Sequence, residues 1–140
     1  MNIRRSAASA AVLMAVGIAF APTTAQAAPS APAPVEHCPS GWLCGWTNPD
    51  FDGVVSPVAV DFPWYPESTA YVGMLDGASV WNNAGTWRKD GQLWGRCATV
   101  YNESYYKGKS LVIRPNQGIR LLPASFGHVR SNRFHACRLS

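Results

Sequence analysis

The stretch "WTNPDFDG", Trp46 to Gly53, returns fifty-five positions later as "YNESYYKG", Tyr101 to Gly108. Both share one skeleton: an aromatic, four residues, a second aromatic, one residue and a glycine. With at most one residue between, each glycine is followed by a short run rich in β-branched residues, "VVSPVAV" at Val54 to Val60 and "SLVIR" at Ser110 to Arg114. Such runs, bounded by turn residues, read as strands. No window longer than about ten residues keeps a helical apolar period, so the fold class is all-β. Pro57 and Pro115 suit strand edges or ends, because proline cannot donate to a central ladder.

The repeat extends past the turn. Ser79 in "SVWNN" follows Gly53, and Ser131 in "SNRF" follows Gly108, after similar intervals. Each half reads as strand, tight hairpin, strand, long connection, strand and Ser-led strand, the sequence form of a Greek key. The pattern resembles the βγ-crystallin Greek-key motif, of which two copies pack as one β-sandwich. The resemblance implies that Gly53 and Gly108 take a left-handed backbone, which a glycine adopts without steric cost. It also implies that the Ser79 and Ser131 hydroxyls bond to the folded hairpins. Phe51 and Tyr106 would cover those hairpins beside Trp46 and Tyr101.

Arg4 and Arg5, the apolar run "AAVLMAVGIAFA" and the small residues ending in "AQA" form a secretory signal peptide over 1–27. The expected localisation is secreted and extracellular, with no membrane association after cleavage. A Pro/Ala-rich linker follows over 28–37. The folded domain is expected over 38–140, with motif one at about 38–84, a connecting loop at 85–97 and motif two at about 98–140. A monomer is expected. Cys38, Cys44, Cys97 and Cys137 all lie in the exported part, which argues for two disulfides in a small secreted domain. Spacing alone allows three pairings. The Greek-key layout, whose first and fourth strands are antiparallel neighbours, implies Cys97 with Cys137 and leaves Cys38 with Cys44 as a local clasp. On the loop-entropy model these contribute about 4 and about 2 kcal/mol.

Charge is distributed unevenly. Without Arg4 and Arg5, ten Lys and Arg stand against eight Asp and Glu. There is no Lys or Arg between Ser6 and Trp87, whereas all ten follow from Arg88 onward. One reading is that the two halves attract each other across an interface; the other is a basic face for an anionic cell-wall polymer. Nucleic acid is not an expected partner, since the basic residues are scattered among strands and no binding motif is present.

No nucleophile elbow, zinc-protease helix, phosphate loop or dinucleotide fingerprint occurs, so the chain does not read as an enzyme. His37, His128 and His135 are scattered. Asp50 and Asp52 alternate across the first turn, where turn formation accounts for Asp50. Many microbial crystallin-type domains bind calcium through paired Asp/Asn residues and a hydroxyl before the motif serine. The matching stretches here, "MLDGAS" and "FGHVRS", lack that set, and hard cations need several oxygen ligands. No metal site and no cofactor are expected.

The start of the domain, "CPSGWLCGW" at Cys38 to Trp46, carries a second resemblance. With "SVWNN" closing the first motif, it is similar to a secreted actinobacterial peptidase-inhibitor family typified by the Streptomyces metalloproteinase inhibitor. That resemblance implies inhibition of thermolysin-like metallopeptidases by a substrate-like loop just before the second motif. Here the equivalent stretch is "GTWRKDGQLWGRC", Gly85 to Cys97, in which only Cys97 is a cysteine. The inhibitory candidates are Trp87, Arg88, Gln92, Leu93 and Trp94, with Gln92–Leu93 as the bond offered. The other reading of Trp87, Leu93 and Trp94 is an extra hairpin packed on the sandwich. Six tryptophans in the mature part also suggest an alternative, a binding module or antifungal, killer-toxin-like protein acting on cell-wall glycans.

Overall fold

The computed structural model describes residues 37–140. The signal peptide and nearly all of the linker lie outside the described residues. Eight strands form two antiparallel sheets: β1 (Leu43–Asn48), β2 (Asp52–Val58), β3 (Ser79–Asn82), β4 (Thr86–Lys89), β5 (Gln92–Tyr101), β6 (Ser110–Ile113), β7 (Gln117–Ile119) and β8 (Ser131–Arg138). The first sheet has the order β2-β1-β3-β7. In the second, β5 is the central strand. It pairs with β4 along its first half and β6 along its second, while β8 runs along the other edge. Pro57 sits on β2, an edge strand, where its missing N–H breaks no central ladder.

The two halves exchange their third elements. Strand β7 belongs to the second repeat yet closes the first sheet against β3. In return, Phe62 of the first repeat bridges Asn132 of β8. The first repeat was expected to carry a full third strand, but a single bridge stands in its place. Pro63 follows Phe62 immediately, and a residue without an N–H cannot extend the ladder. The chain then turns into a short helix, α1 (Val72–Leu75), that lies against β1. Contact there is backbone to backbone: a Cβ on Gly45 would stand 2.4 Å from the Gly73 carbonyl oxygen. The Ser56 hydroxyl accepts the Gly73 N–H at 2.9 Å.

Both quoted turns fold identically. In the first, Asp50, Phe51 and Gly53 have φ of 59°, 64° and 84°; in the second, Tyr105, Tyr106 and Gly108 have 61°, 62° and 74°. The two non-glycine left-handed residues in each turn cost about 2–4 kcal/mol together unless neighbouring groups hold them. Each turn is held by one buried hydroxyl. Ser79 Oγ accepts the Phe51 N–H at 3.0 Å and donates to the Asn48 carbonyl at 2.7 Å. Ser131 Oγ accepts the Tyr106 N–H at 3.1 Å and donates to the Glu103 carbonyl at 2.7 Å. A second bond closes each hairpin: Thr47 Oγ1 accepts from Val54 N–H at 3.0 Å, and Asn102 Oδ1 from Lys109 N–H at 2.7 Å. Glycine is needed for space as well as for φ. A Cβ on Gly53 would lie 2.4 Å from Thr47 Oγ1, and one on Gly108 2.3 Å from Asn102 Oδ1. Edge-on ring pairs, Trp46 with Phe51 and Tyr101 with Tyr106, cap the two turns.

The main core lies between the sheets and includes Leu43, Val58, Met74, Val80, Val100, Ile113, Phe126 and Val129. Two asparagines are buried with it. Asn82 Nδ2 donates to the Arg96 and Ile113 carbonyls, and Asn132 Nδ2 donates to the Val60 carbonyl. The Tyr65 hydroxyl bonds to Asn132 Oδ1, and burial pushes its ionisation well above the usual tyrosine range. A second cluster covers the outer face of the first sheet, where Trp46 and Trp81 pack on the Cys38–Cys44 disulfide. The Cys97–Cys137 disulfide joins β5 to β8, so both bonds follow the expected pairing. Cys97 lies in mid-strand rather than ahead of the strand, because β5 begins at Gln92.

The acidic first half and basic second half meet in one ion pair among the described residues, Asp50 with Arg120 at 3.2 Å. Both side chains are about two-thirds exposed, so the pair adds little to stability. Removing either turn hydroxyl leaves a buried N–H and a carbonyl without their partner. Ser79→Ala and Ser131→Ala are each expected to lower the unfolding free energy by about 1–3 kcal/mol, measured by urea denaturation.

Candidate functional site

The segment between the two repeats, expected as a loop from Gly85 to Cys97, is a tight β-hairpin. Trp87 faces Trp94, Arg88 faces Leu93 and Lys89 faces Gln92. Asp90 and Gly91 form the turn, with φ of 51° and 74°. Positive φ at both central residues is the requirement of a type I′ turn, whose twist matches that of the flanking strands. The correction has a clear cause: Asp-Gly accepts positive φ at both central positions, which specifies a hairpin turn more strongly than glycine content specifies a loop.

The base of this hairpin is fixed from several directions. Arg96, next to the Cys97 disulfide, donates to the Gly41 carbonyl at 3.0 Å and to the Ala59 carbonyl at 2.6 Å. Its guanidinium also lies 3.8 Å above the Phe134 ring. The Arg96 N–H bonds the Gly85 carbonyl at 3.3 Å, and the Leu139 N–H bonds the Leu93 carbonyl at 2.9 Å. Beyond this anchor, Thr86 to Gly91 are all exposed, and Gln92 to Trp94 are half-buried.

All five candidate residues of the inhibitory segment therefore stand on one hairpin, though in two environments. Trp87 and Arg88 are on exposed β4; Gln92, Leu93 and Trp94 are on β5. Alternation places Trp87 and Trp94 on one face of the hairpin, and Arg88 and Leu93 on the other. The Gln92–Leu93 bond lies inside the ladder, held by β4 on one edge and by Leu139 on the other.

The remaining tryptophans do not join this surface. Trp42, Trp46 and Trp81 pack around the Cys38–Cys44 disulfide, and Trp64 is exposed elsewhere. Elsewhere, a cleft of about 490 Å³ brings Glu67, Asp76 and Arg130 together beside Val72 and Leu75, without a histidine or cysteine. Among the described residues no three His, Cys, Asp or Glu side chains converge as a metal site would require. No helix among them is long and apolar enough to cross a membrane.

The turn conformation gives a local test. A Cβ on Gly91 would meet nothing within 4 Å, so Gly91→Ala probes backbone strain alone. The expected cost is about 1 kcal/mol, read as roughly fivefold faster exchange of the Trp87 and Lys89 amides. Unchanged exchange would mean that the turn does not hold the hairpin.

Comparison with solved structures supports the fold. A structure reported on the evolution of the eye lens βγ-crystallin domain fold aligns with a TM-score of 0.55 and 14% identity. It covers 76% of this chain and 96% of that one. IPSE alpha-1, an IgE-binding crystallin, aligns with a TM-score of 0.53 and 12% identity, over 71% of this chain and 86% of that one. At these identities the likeness speaks for the fold alone. A comparison with curated proteins gives no match. The model of peptidase inhibitor family I36 matches residues 31–113, more than half of the chain, a stretch that runs through the Cys38–Cys44 clasp and the whole β4–β5 hairpin. With its two βγ-crystallin-type repeats and this hairpin between them, the chain belongs to peptidase inhibitor family I36.

Proposed function

We propose that this protein is a secreted inhibitor of thermolysin-like metallopeptidases and that it meets them with the β4–β5 hairpin. The observation that carries this reading is a projecting hairpin with a fixed base, inside the family-matched residues, holding an exposed Trp87 beside Arg88 and Lys89, which form no ion pair among the described residues. A pre-ordered hairpin loses little conformational entropy on binding, which favours affinity without a large contact area. Trp87 is the natural anchor, because aromatic side chains bury much area with few rotatable bonds. Leu93 and Trp94 flank it from the neighbouring strand.

The hairpin acts as a folded surface in this reading. The ladder covers the Gln92–Leu93 bond, so presenting that bond as a substrate requires the hairpin to unzip. Resistance to cleavage then comes from strand pairing and from Arg96, in place of a disulfide within the segment.

Titration of a thermolysin-like enzyme should give stoichiometric inhibition with the hairpin left intact. Trp87→Ala should weaken inhibition by about thirtyfold, as loss of a central anchor does, while leaving the melting temperature nearly unchanged. Rapid cleavage between Gly85 and Cys97 without inhibition contradicts the proposal.

A further inference from the structure

Among the described residues the outer edge of β4 has no partner: the strand pairs with β5 alone, and no backbone group of Thr86 or Arg88 bonds in a turn, loop or cap. The bond from Arg96 N–H to the Gly85 carbonyl marks that pair as hydrogen-bonded. Antiparallel ladders alternate, so Trp87 with Trp94 and Lys89 with Gln92 are the next bonded pairs. The N–H and C=O groups of Thr86 and Arg88 therefore point away from β5. Two donors and two acceptors stand in a row, about 7 Å apart along the strand.

We infer that this edge is the inhibitor's recognition element and that it adds as a strand to the backbone edge lining the peptidase's substrate cleft. The inference rests on the function proposed above and gives it an atomic mode. A peptidase that accepts many sequences recognises its substrates through their extended backbone, the one feature that all of them share. The edge of β4 offers that same pattern of alternating N–H and C=O. Unlike a substrate, β4 has its other edge bonded to β5, and Trp87 and Lys89 keep those bonds when the outer edge is occupied. The strand is therefore recognised as peptide yet held against the distortion that hydrolysis requires. Arg88 and Lys89 form no ion pair among the described residues, which suits an acidic rim beside the cleft.

Proline separates this mode from ordinary side-chain contact. Arg88→Pro removes the outward N–H together with the side chain, whereas Arg88→Ala removes the side chain and keeps the N–H. The β4–β5 ladder does not use the Arg88 N–H, so both variants should keep the exchange protection of Trp87 and Lys89. Thr86→Pro removes the other outward N–H and gives an independent reading should Arg88→Pro disturb the hairpin. With a thermolysin-like enzyme, Arg88→Pro should inhibit about tenfold more weakly than Arg88→Ala, and Thr86→Pro about tenfold more weakly than Thr86→Ala. Equal inhibition within both pairs overturns the edge mode while leaving the inhibitor function standing. Absence of inhibition by the unaltered protein overturns both.

Discussion

The serine clamp across each folded-back turn is the constraint on which the rest of the structure depends. Asp50, Phe51 and Gly53, like Tyr105, Tyr106 and Gly108, take a left-handed backbone that is unfavourable alone. The Ser79 and Ser131 hydroxyls make that conformation the stable one by satisfying an N–H and a carbonyl within each turn. Each serine also opens its own strand, so the clamp fixes where β3 lies against β1 and where β8 lies against β5. With these strands placed, β7 can pair with β3, and Phe62 can reach β8. The exchange joins the two repeats, because each sheet is completed by a piece of the other half.

A rigid sandwich makes a precise support for a small projecting element. The β4–β5 hairpin grows directly out of the central strand of the second sheet, so its base shares the ladder with β8 and the Cys97–Cys137 disulfide. Arg96 ties the same base to Gly41, at the domain entrance, and to Ala59, just past β2. The strand β5 is thus divided along its length: it is core from Ala98 onward and presents a surface before Gly95. Among the described residues the basic half of the chain makes one ion pair, Arg120 with Asp50, while Arg88 and Lys89 on the hairpin make none.

Much of the framework was legible in the residues, because its determinants are local. The aromatic, glycine and serine positions of the two turns sit at matching offsets in both halves, and the Greek-key layout then selects among the disulfide pairings. Thr47 and Asn102 could have been found the same way, as they occupy equivalent places seven residues before Val54 and Lys109. Their different chemistry hid the match. The strand exchange was not legible, since β7 and Phe62 pair over long sequence distances that leave no periodic signal. The Arg96 anchor was equally silent, because its partners are main-chain carbonyls with no residue signature. The hairpin stood as the second reading of Trp87, Leu93 and Trp94, beside a family resemblance that pointed to a loop.

We propose that the hairpin engages the peptidase and that the two clamped turns serve only the fold. Hydrogen exchange of the inhibitor, alone and with a thermolysin-like peptidase, tests this most directly. New protection should be confined to the hairpin, with the Thr86 and Arg88 amides slowed most and the turns at Trp46 to Gly53 and Tyr101 to Gly108 unchanged. Protection centred on those turns, or faster exchange at Trp87 and Lys89 as the hairpin opens, would contradict the proposal.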